Sequence, residues 1–166
     1  MTPSEPDYRT IPLTKGLFAI VDLVDYDHLM QWRWQASAQH HKGWRAKRCS
    51  KKLGKQFSVL MHRQIMDCPK GMVIDHINGN ALDNRRANLR ICTSQQNSFN
   101  IRKRKPGKYS EFKGVHPNRA KWRACIMKEG KYIHIGNFET EQDAALAYDA
   151  MARLIFGQFA HLNFPQ

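Results

Sequence analysis

A chain of 166 residues with 42% hydrophobic content can bury one modest core or two small ones, and a formal net charge of +13 points toward a polyanionic partner. No apolar run approaches the ~20 residues that a bilayer demands, and the opening MTPSEPDYRT lacks the basic and apolar stretches of a secretory signal, so a cytoplasmic protein is expected. Cys49, Cys68, Cys92 and Cys125 lie far apart with no C-x-x-C pair, which argues against a zinc knuckle and a dense disulfide framework and suits ordinary buried thiols.

Residues 1–59 read as a β-rich segment of short strands and turns. IPLTKGLFAIVD alternates and then ends in acids, RAKRCSKKLGKQFSVLMHR reads as a hairpin turning near Leu53-Gly54, and DYDHLMQWRW between them suits a short helix. Trp32 and Trp34 are expected in the core, because large aromatics anchor small cores. Residues 60–100 form a second segment: Val73-Ile74 enters as a strand, Asn78-Gly79 is a turn signal, Leu89-Arg90-Ile91-Cys92 returns as a strand, and Thr93 or Ser94 caps a helix carrying Asn97. Residues 101–111, IRKRKPGKYSE, have no periodicity and read as a basic linker able to track a phosphate backbone.

Residues 112–166 carry the clearest local pattern. FKGVHP, KWRACIMK and KYIHIG are three short strands, with Glu129-Gly130 as the second turn; Thr140 opens a helix, Asp143 is its capping-box partner, and Gly157 follows its end. Ala144, Ala147, Tyr148, Met151, Leu154 and Ile155 fall on one helical stripe. Strand parity puts Trp122, Ala124 and Ile126 on one side, against Lys121, Arg123, Cys125 and Met127. Likewise Ile133 and Ile135 oppose Tyr132 and His134. The apolar side must meet the helix, which leaves Lys121, Arg123, Tyr132 and His134 facing out; the helix itself, with Glu139 before it and Glu141, Asp143 and Asp149 on it, would be repelled by DNA. The fold class expected is therefore α+β: a β-rich N-terminal segment, a strand–loop–strand–helix middle, and a three-stranded antiparallel sheet packed on one helix.

Between residues 40 and 125 stand 21 of the 27 Lys and Arg but only four of the 14 acids. Such a belt suits phosphates, and aromatic residues among the charges, Trp44, Tyr109, Phe112 and Trp122, set it apart from a disordered basic tail. An anionic membrane surface would call for an amphipathic basic helix, and none is found. The partner expected is double-stranded DNA, engaged by a monomer with no protein partner. RNA is a weaker alternative, since a folded sheet suits a wide DNA groove better than the narrow one of an A-form helix.

Within GMVIDHINGNALDNRRANLRICTSQQN, folding strand, loop, strand and helix together would let Asp75 and Asn97 converge beside His76. Phosphodiester hydrolysis asks for such a set. A hard cation, Mg²⁺ or Mn²⁺, takes oxygen ligands and keeps waters, so one carboxylate (Asp75) and one amide oxygen (Asn97) suffice beside the substrate phosphate. His76 is the base that activates water, provided its other ring nitrogen is held, a task assigned to Asn88. A calcium loop is rejected, since the Gly falls at the fifth position from Asp75 instead of the sixth and no Glu closes the loop at the twelfth. His40, His41 and His62 are lone histidines by comparison; His62 is taken to cap or to contact phosphate, not to catalyse.

The stretch MHRQIM…IDHINGNALDNRRANLRICTSQQN closely resembles the HNH nuclease family, in the phage homing-endonuclease branch where Asp-His opens the motif and Asn replaces the closing His. That resemblance implies a ββα-metal (His-Me finger) motif over residues 60–100, Asp75 and Asn97 on the metal, His76 as general base and Asn88 orienting it, with Mg²⁺ or Mn²⁺ preferred over zinc. FKGVHPNRAKWRACIMKEGKYIHIGNFETEQDAALAYDAMARLIFGQFAHLNFP resembles the DNA-binding domain of plant ethylene-response factors (the apetala-two type), whose sheet reads the major groove; by position this implies DNA contacts at Lys113, His116, Arg123, Tyr132 and His134. Several groove-reading arginines and the tryptophan pair of that family are absent, so its target sequence is not carried over. LTKGLFAIVD resembles, less specifically, the N-terminal strands found before such nucleases. The function expected is a metal-dependent, homing-type DNA endonuclease that nicks or cuts; the alternative is a non-catalytic DNA-binding regulator on a nuclease scaffold.

Overall fold

The computed structural model describes residues 7–39, 43–52, 54–101 and 110–165. His40, His41, Leu53, Tyr109 and most of the expected linker lie outside these. Contacts divide the chain into two units, residues 1–94 and 95–166. The chain is α+β, and among the described residues no helix is long and apolar enough to cross a membrane.

In the first unit, β1 (Tyr8–Pro12) and β2 (Phe18–Asp22) form an antiparallel hairpin, and α1 (Leu23–Leu29) follows directly. Strand alternation sets the core here: Ile11 on β1 and Ala19 and Val21 on β2 point inward, where Leu29 meets them. β3 (Gln35–Gln39), β4 (Gly43–Lys52) and β5 (Lys55–Leu60) make a second antiparallel sheet in that order. Trp34 is buried as expected and donates its indole N–H to the Leu29 carbonyl at 2.8 Å. Trp32 is partly buried instead, with the Arg48 guanidinium 4.4 Å above its ring. Cys49 is exposed and Cys68 half-buried, so only Cys92 and Cys125 match the expected buried thiols.

The short helix α2 (Met61–Met66) leads to β6 (Val73–His76), which pairs antiparallel with β7 (Leu89–Cys92). Arg63 fixes the turn between α2 and β6 by donating to the carbonyls of Met72, Cys68 and Pro69 at 2.9, 3.1 and 3.3 Å. Met61, Ile65, Ile74 and Leu89 join the same core as Ile11, Val21 and Ala46, so the N-terminal strands and the β6–β7 hairpin share one apolar interior.

The second unit opens with α3 (Ser94–Phe99) from Gln95 onward, and continues with β8 (Val115–Asn118), β9 (Lys121–Lys128), β10 (Lys131–Phe138) and α4 (Glu141–Phe156). The three strands form an antiparallel meander with β9 central. Glu129 and Gly130 both take positive φ, 52° and 76°, as a tight two-residue hairpin turn requires. Thr140 caps α4: its hydroxyl accepts the Asp143 N–H at 3.1 Å and donates to the Asp143 carboxylate at 2.7 Å.

The buried stripe of α4 differs from the expected one. Ala144, Ala145, Tyr148, Asp149, Ala152 and Phe156 face inward, while Leu154 is 80% exposed. Small alanines let the helix approach the sheet closely, and Asp149 turns in because its carboxylate accepts the backbone N–H groups of Asn163 and Phe164, both at 2.8 Å. Asn163 in turn accepts the Lys113 N–H at 2.6 Å, so the segment after α4 is clasped to the start of the sheet. A β-bulge between His134 and Gly136 shifts the register, and Ile135 packs inward while Ile133 is 37% exposed.

Candidate active site and nucleic-acid interface

Asp75 and His76 close β6, and both are buried. The pleat sends adjacent side chains to opposite faces, so the carboxylate and the imidazole have different surroundings. Asp75 is paired in register with Arg90 across the hairpin, and its Oδ2 accepts both Arg90 Nε at 2.8 Å and Nη2 at 2.5 Å. His76 is held differently: its Nε2 lies 3.4 Å from the amide oxygen of Asn84, which is wholly buried.

Asn88, the residue expected to orient the ring, lies in the same loop, where its side chain accepts the Asn78 N–H at 2.9 Å and donates to the Asp83 carbonyl at 2.8 Å, so it ties the loop that follows β6 to itself. Five asparagines crowd the stretch from 78 to 97, and no spacing rule singles out Asn84 from them. What selects it is tertiary. Ile20 on β2 donates to Leu82 O at 2.8 Å and accepts from Asn84 N at 2.7 Å, which lays the loop against the N-terminal hairpin as a parallel bridge.

Two arginines fasten the same loop. Arg85 pairs with Asp83 at 2.7 Å and holds that carboxyl below its ordinary range. Arg86 grips both oxygens of Asp25, at 2.8 and 2.7 Å, while its backbone N–H donates to Asp22 at 2.7 Å. A fork-to-fork pair of this kind adds direction as well as energy.

Burial lowers the His76 imidazole below its usual pKa of 6.5, against the opposing pull of the Asn84 hydrogen bond and of Asp75 and Asp83. A ring in that condition is neutral at physiological pH and able to accept a proton. His62 on α2 stands edge-on to it, centroids 5.1 Å apart and planes at 86°. Burial, with the charges of His76, Arg45 and Arg63, pushes His62 down to about 3.

Asn97 stands on α3, half-buried, in the second unit. Among the described residues no three His, Cys, Asp or Glu gather to hold a metal. The one carboxylate at the end of β6, Asp75, fits a hard cation that keeps water and substrate oxygens better than one caged by protein alone.

On the second unit, the face of the sheet turned away from α4 carries cross-strand rows. Arg123 pairs with His116 on one side and Asn137 on the other, His134 opposes Cys125, and Tyr132 opposes Met127. His116, Arg123, His134 and Asn137 are exposed, and Tyr132 is 72% exposed. Asn137 also accepts from Asn118 at 2.8 Å; sequence parity missed it because the bulge resets the alternation after His134. Lys121 shares the face but pairs with Glu139. Lys113, also in the expected set, is half-buried: its ammonium donates to the Phe99 carbonyl at 2.9 Å, and burial lowers its pKa to about 8.

Residues 67–99 match the family model described as HNH endonuclease. The uncharacterized HNH endonuclease of Acanthamoeba polyphaga mimivirus is 34% identical over 153 residues, 90% of this chain and 76% of that protein. Protein 3.8 of Escherichia phage T7 is 35% identical over 97 residues, 57% of this chain and 78% of that protein. Dehydration-responsive element-binding protein 2D of Arabidopsis thaliana is 43% identical over 58 residues, 33% of this chain but only 28% of that protein, and matches of this kind fall on the C-terminal region. No solved structure matches. With a loop-held Asp-His pair on a β-hairpin, and with such similarity over nearly its whole length, the chain belongs to the HNH endonuclease family, and its C-terminal region is similar to part of the dehydration-responsive element-binding proteins.

Proposed function

We propose that this protein is a metal-dependent, homing-type endonuclease that hydrolyses phosphodiester bonds in double-stranded DNA, with its C-terminal sheet in the major groove. The observation that carries this reading is the buried, neutral His76 beside Asp75, with its ring held by Asn84. In this scheme His76 takes the proton from the attacking water while Asn84 fixes the ring's orientation and tautomer. Asp75 supplies the carboxylate for Mg²⁺ or Mn²⁺, and Asn97 is the second oxygen donor that the family resemblance assigns. A cation held by these oxygens would supply charge stabilisation at the phosphate and the leaving oxygen. Arg90 holds the Asp75 carboxylate in place through its two hydrogen bonds to Oδ2.

His116, Arg123, Tyr132, His134 and Asn137 are assigned to the DNA edge of the sheet, with Arg123 suited to a bidentate contact on guanine. The exposed row of a cation, imidazoles and an amide supports that assignment. Phosphate contacts from the basic belt would supply affinity, and these side chains selectivity.

One feature favours the rival reading of a DNA-binding regulator: Arg90 already occupies the Asp75 carboxylate. Incubating supercoiled plasmid with the protein in Mg²⁺ and in EDTA separates the two. Relaxed or linear product in Mg²⁺ alone is expected, whereas gel shifts with no product under either condition would leave the regulator standing.

A further inference from the structure

The hairpin of β4 and β5 runs further than the core requires. β3 pairs with β4 only as far as Lys47, where β5 takes over. The four cross-strand pairs from Cys49–Ser58 to Lys52–Lys55 therefore form a two-stranded ribbon beyond the reach of the third strand. Of the residues in these pairs, Ser50 is half-buried and the other seven are exposed. A hairpin that buries nothing is marginal in water, so packing does not account for the extension.

Its charge is of one sign. Lys51, Lys52 and Lys55 stand on the ribbon, and no Asp or Glu occurs from residue 28 to residue 66. Among the described residues the ion pairs are made by Arg85, Arg86, Arg90 and Lys121, so none of the three ribbon lysines is neutralised by a carboxylate. Lysines also keep an exposed sheet edge from pairing with another chain, but that task is served by a short strand and not by a long one.

Parity and register separate two faces. Ser50, Lys52, Lys55 and Phe57 continue the side of β4 that carries the buried Ala46, while Cys49, Lys51, Gln56 and Ser58 lie on the side turned from it. The outer side presents an ammonium, an amide and a hydroxyl, the groups that hydrogen-bond base edges. A lipid surface would call for an apolar face, and among the described residues of the ribbon Phe57 is the one exposed large hydrophobic. Two strands about 4.8 Å apart fit a B-form major groove about 12 Å wide. The major groove of A-form RNA is too narrow to admit them.

We propose that the β4–β5 ribbon is a second DNA reader, lying in the major groove with Lys51, Gln56 and Ser58 toward the base edges and with Lys52 and Lys55 at its tip on phosphates. This rests on the nuclease reading for its choice of DNA, and adds to it a reader in the first unit. Selection of sequence is then shared between this ribbon and the C-terminal sheet.

Cys49 serves as the reporter, since it is exposed on the same face as Lys51 whereas Cys68 is half-buried and Cys92 and Cys125 are buried. The full chain in EDTA is treated with iodoacetamide, alone, with a saturating mixed-sequence DNA duplex, and with an RNA duplex of the same sequence. Alkylation of Cys49 is followed by peptide mass spectrometry. DNA is expected to slow it in proportion to the fraction bound, and RNA to leave it unchanged. Lys52→Gln combined with Lys55→Gln is expected to lower the slope of log Kd against log salt by about 2, with no change in melting temperature. Gln56→Ala is expected to weaken by about tenfold the binding of a duplex that the wild type selects from a randomised pool, and to spare the mixed-sequence duplex. Cys49 alkylated at its free rate under saturating DNA, equal protection by RNA, an unchanged salt slope, or equal losses on both duplexes in Gln56→Ala would each overturn the proposal. Plasmid nicking by the wild type in Mg²⁺ is scored alongside. A protein that binds DNA and nicks with Cys49 unprotected removes only the ribbon, while one that neither binds nor nicks removes the nuclease reading and the ribbon with it.

Discussion

A general base must be neutral and correctly aimed, and in the proposed scheme His76 meets those two needs in two different ways. Burial keeps His76 neutral, and the Asn84 amide orients it. Asn84→Ala is therefore expected to lower kcat on the order of 10²-fold, the usual cost of a misaimed catalytic group, with little change in duplex affinity; single-turnover nicking beside a gel-shift titration reads both. The acid limb of the pH–rate profile should fall below 6.5, since His76 protonates only beneath its ordinary pKa. His62 has a consequence for stability. Its pKa drops from 6.5 in the unfolded chain to about 3 in the fold, so the unfolded state binds more protons in that interval. Stability is then fully present above pH 6.5 and lost as pH falls toward 3. In thermal melts across that range, the wild type is expected to lose more stability than His62→Phe; parallel losses would contradict the assignment.

Elements show how much of the molecule can be read from its residues, and why the remainder cannot. The β6–β7 hairpin, the meander of β8 to β10 and the Thr140 cap all follow from local pattern, because alternation, turn chemistry and capping act over a few residues. Asn84, the His134–Gly136 bulge and the inward turn of Asp149 do not. Each is fixed by a partner remote in sequence: Ile20 for the loop, the register of β9 for the bulge, Asn163 and Phe164 for the carboxylate. Gly114 marks where a local signal and a tertiary need coincide. Its φ is 75°, and an added Cβ would come within 2.1 Å of the Tyr148 ring and 2.6 Å of the Cys125 carbonyl. Gly114→Ala is expected to unfold the C-terminal unit outright, and a Gly114→Ala protein that melts like the wild type would refute this packing. Asp149→Ala, which strands two backbone donors, should cost on the order of 3 kcal/mol in urea titrations.

For the whole molecule, net charge and the choice of chemistry are the two properties that matter. The charge of +13 and its concentration between residues 40 and 125 predict a steep fall in duplex affinity with salt, about 10³-fold or more between 50 and 200 mM if six or more phosphates are contacted. Filter binding across that range measures it, and a flat response would remove the electrostatic account. Hydrolysis, in the proposed scheme, turns on a single imidazole at the end of β6. The direct test is single-turnover nicking of supercoiled plasmid in Mg²⁺ by the wild type and by His76→Ala. The account predicts relaxed product from the former and none from the latter, with DNA binding retained in both. Metal-dependent nicking by the His76→Ala variant at the wild-type rate would contradict it.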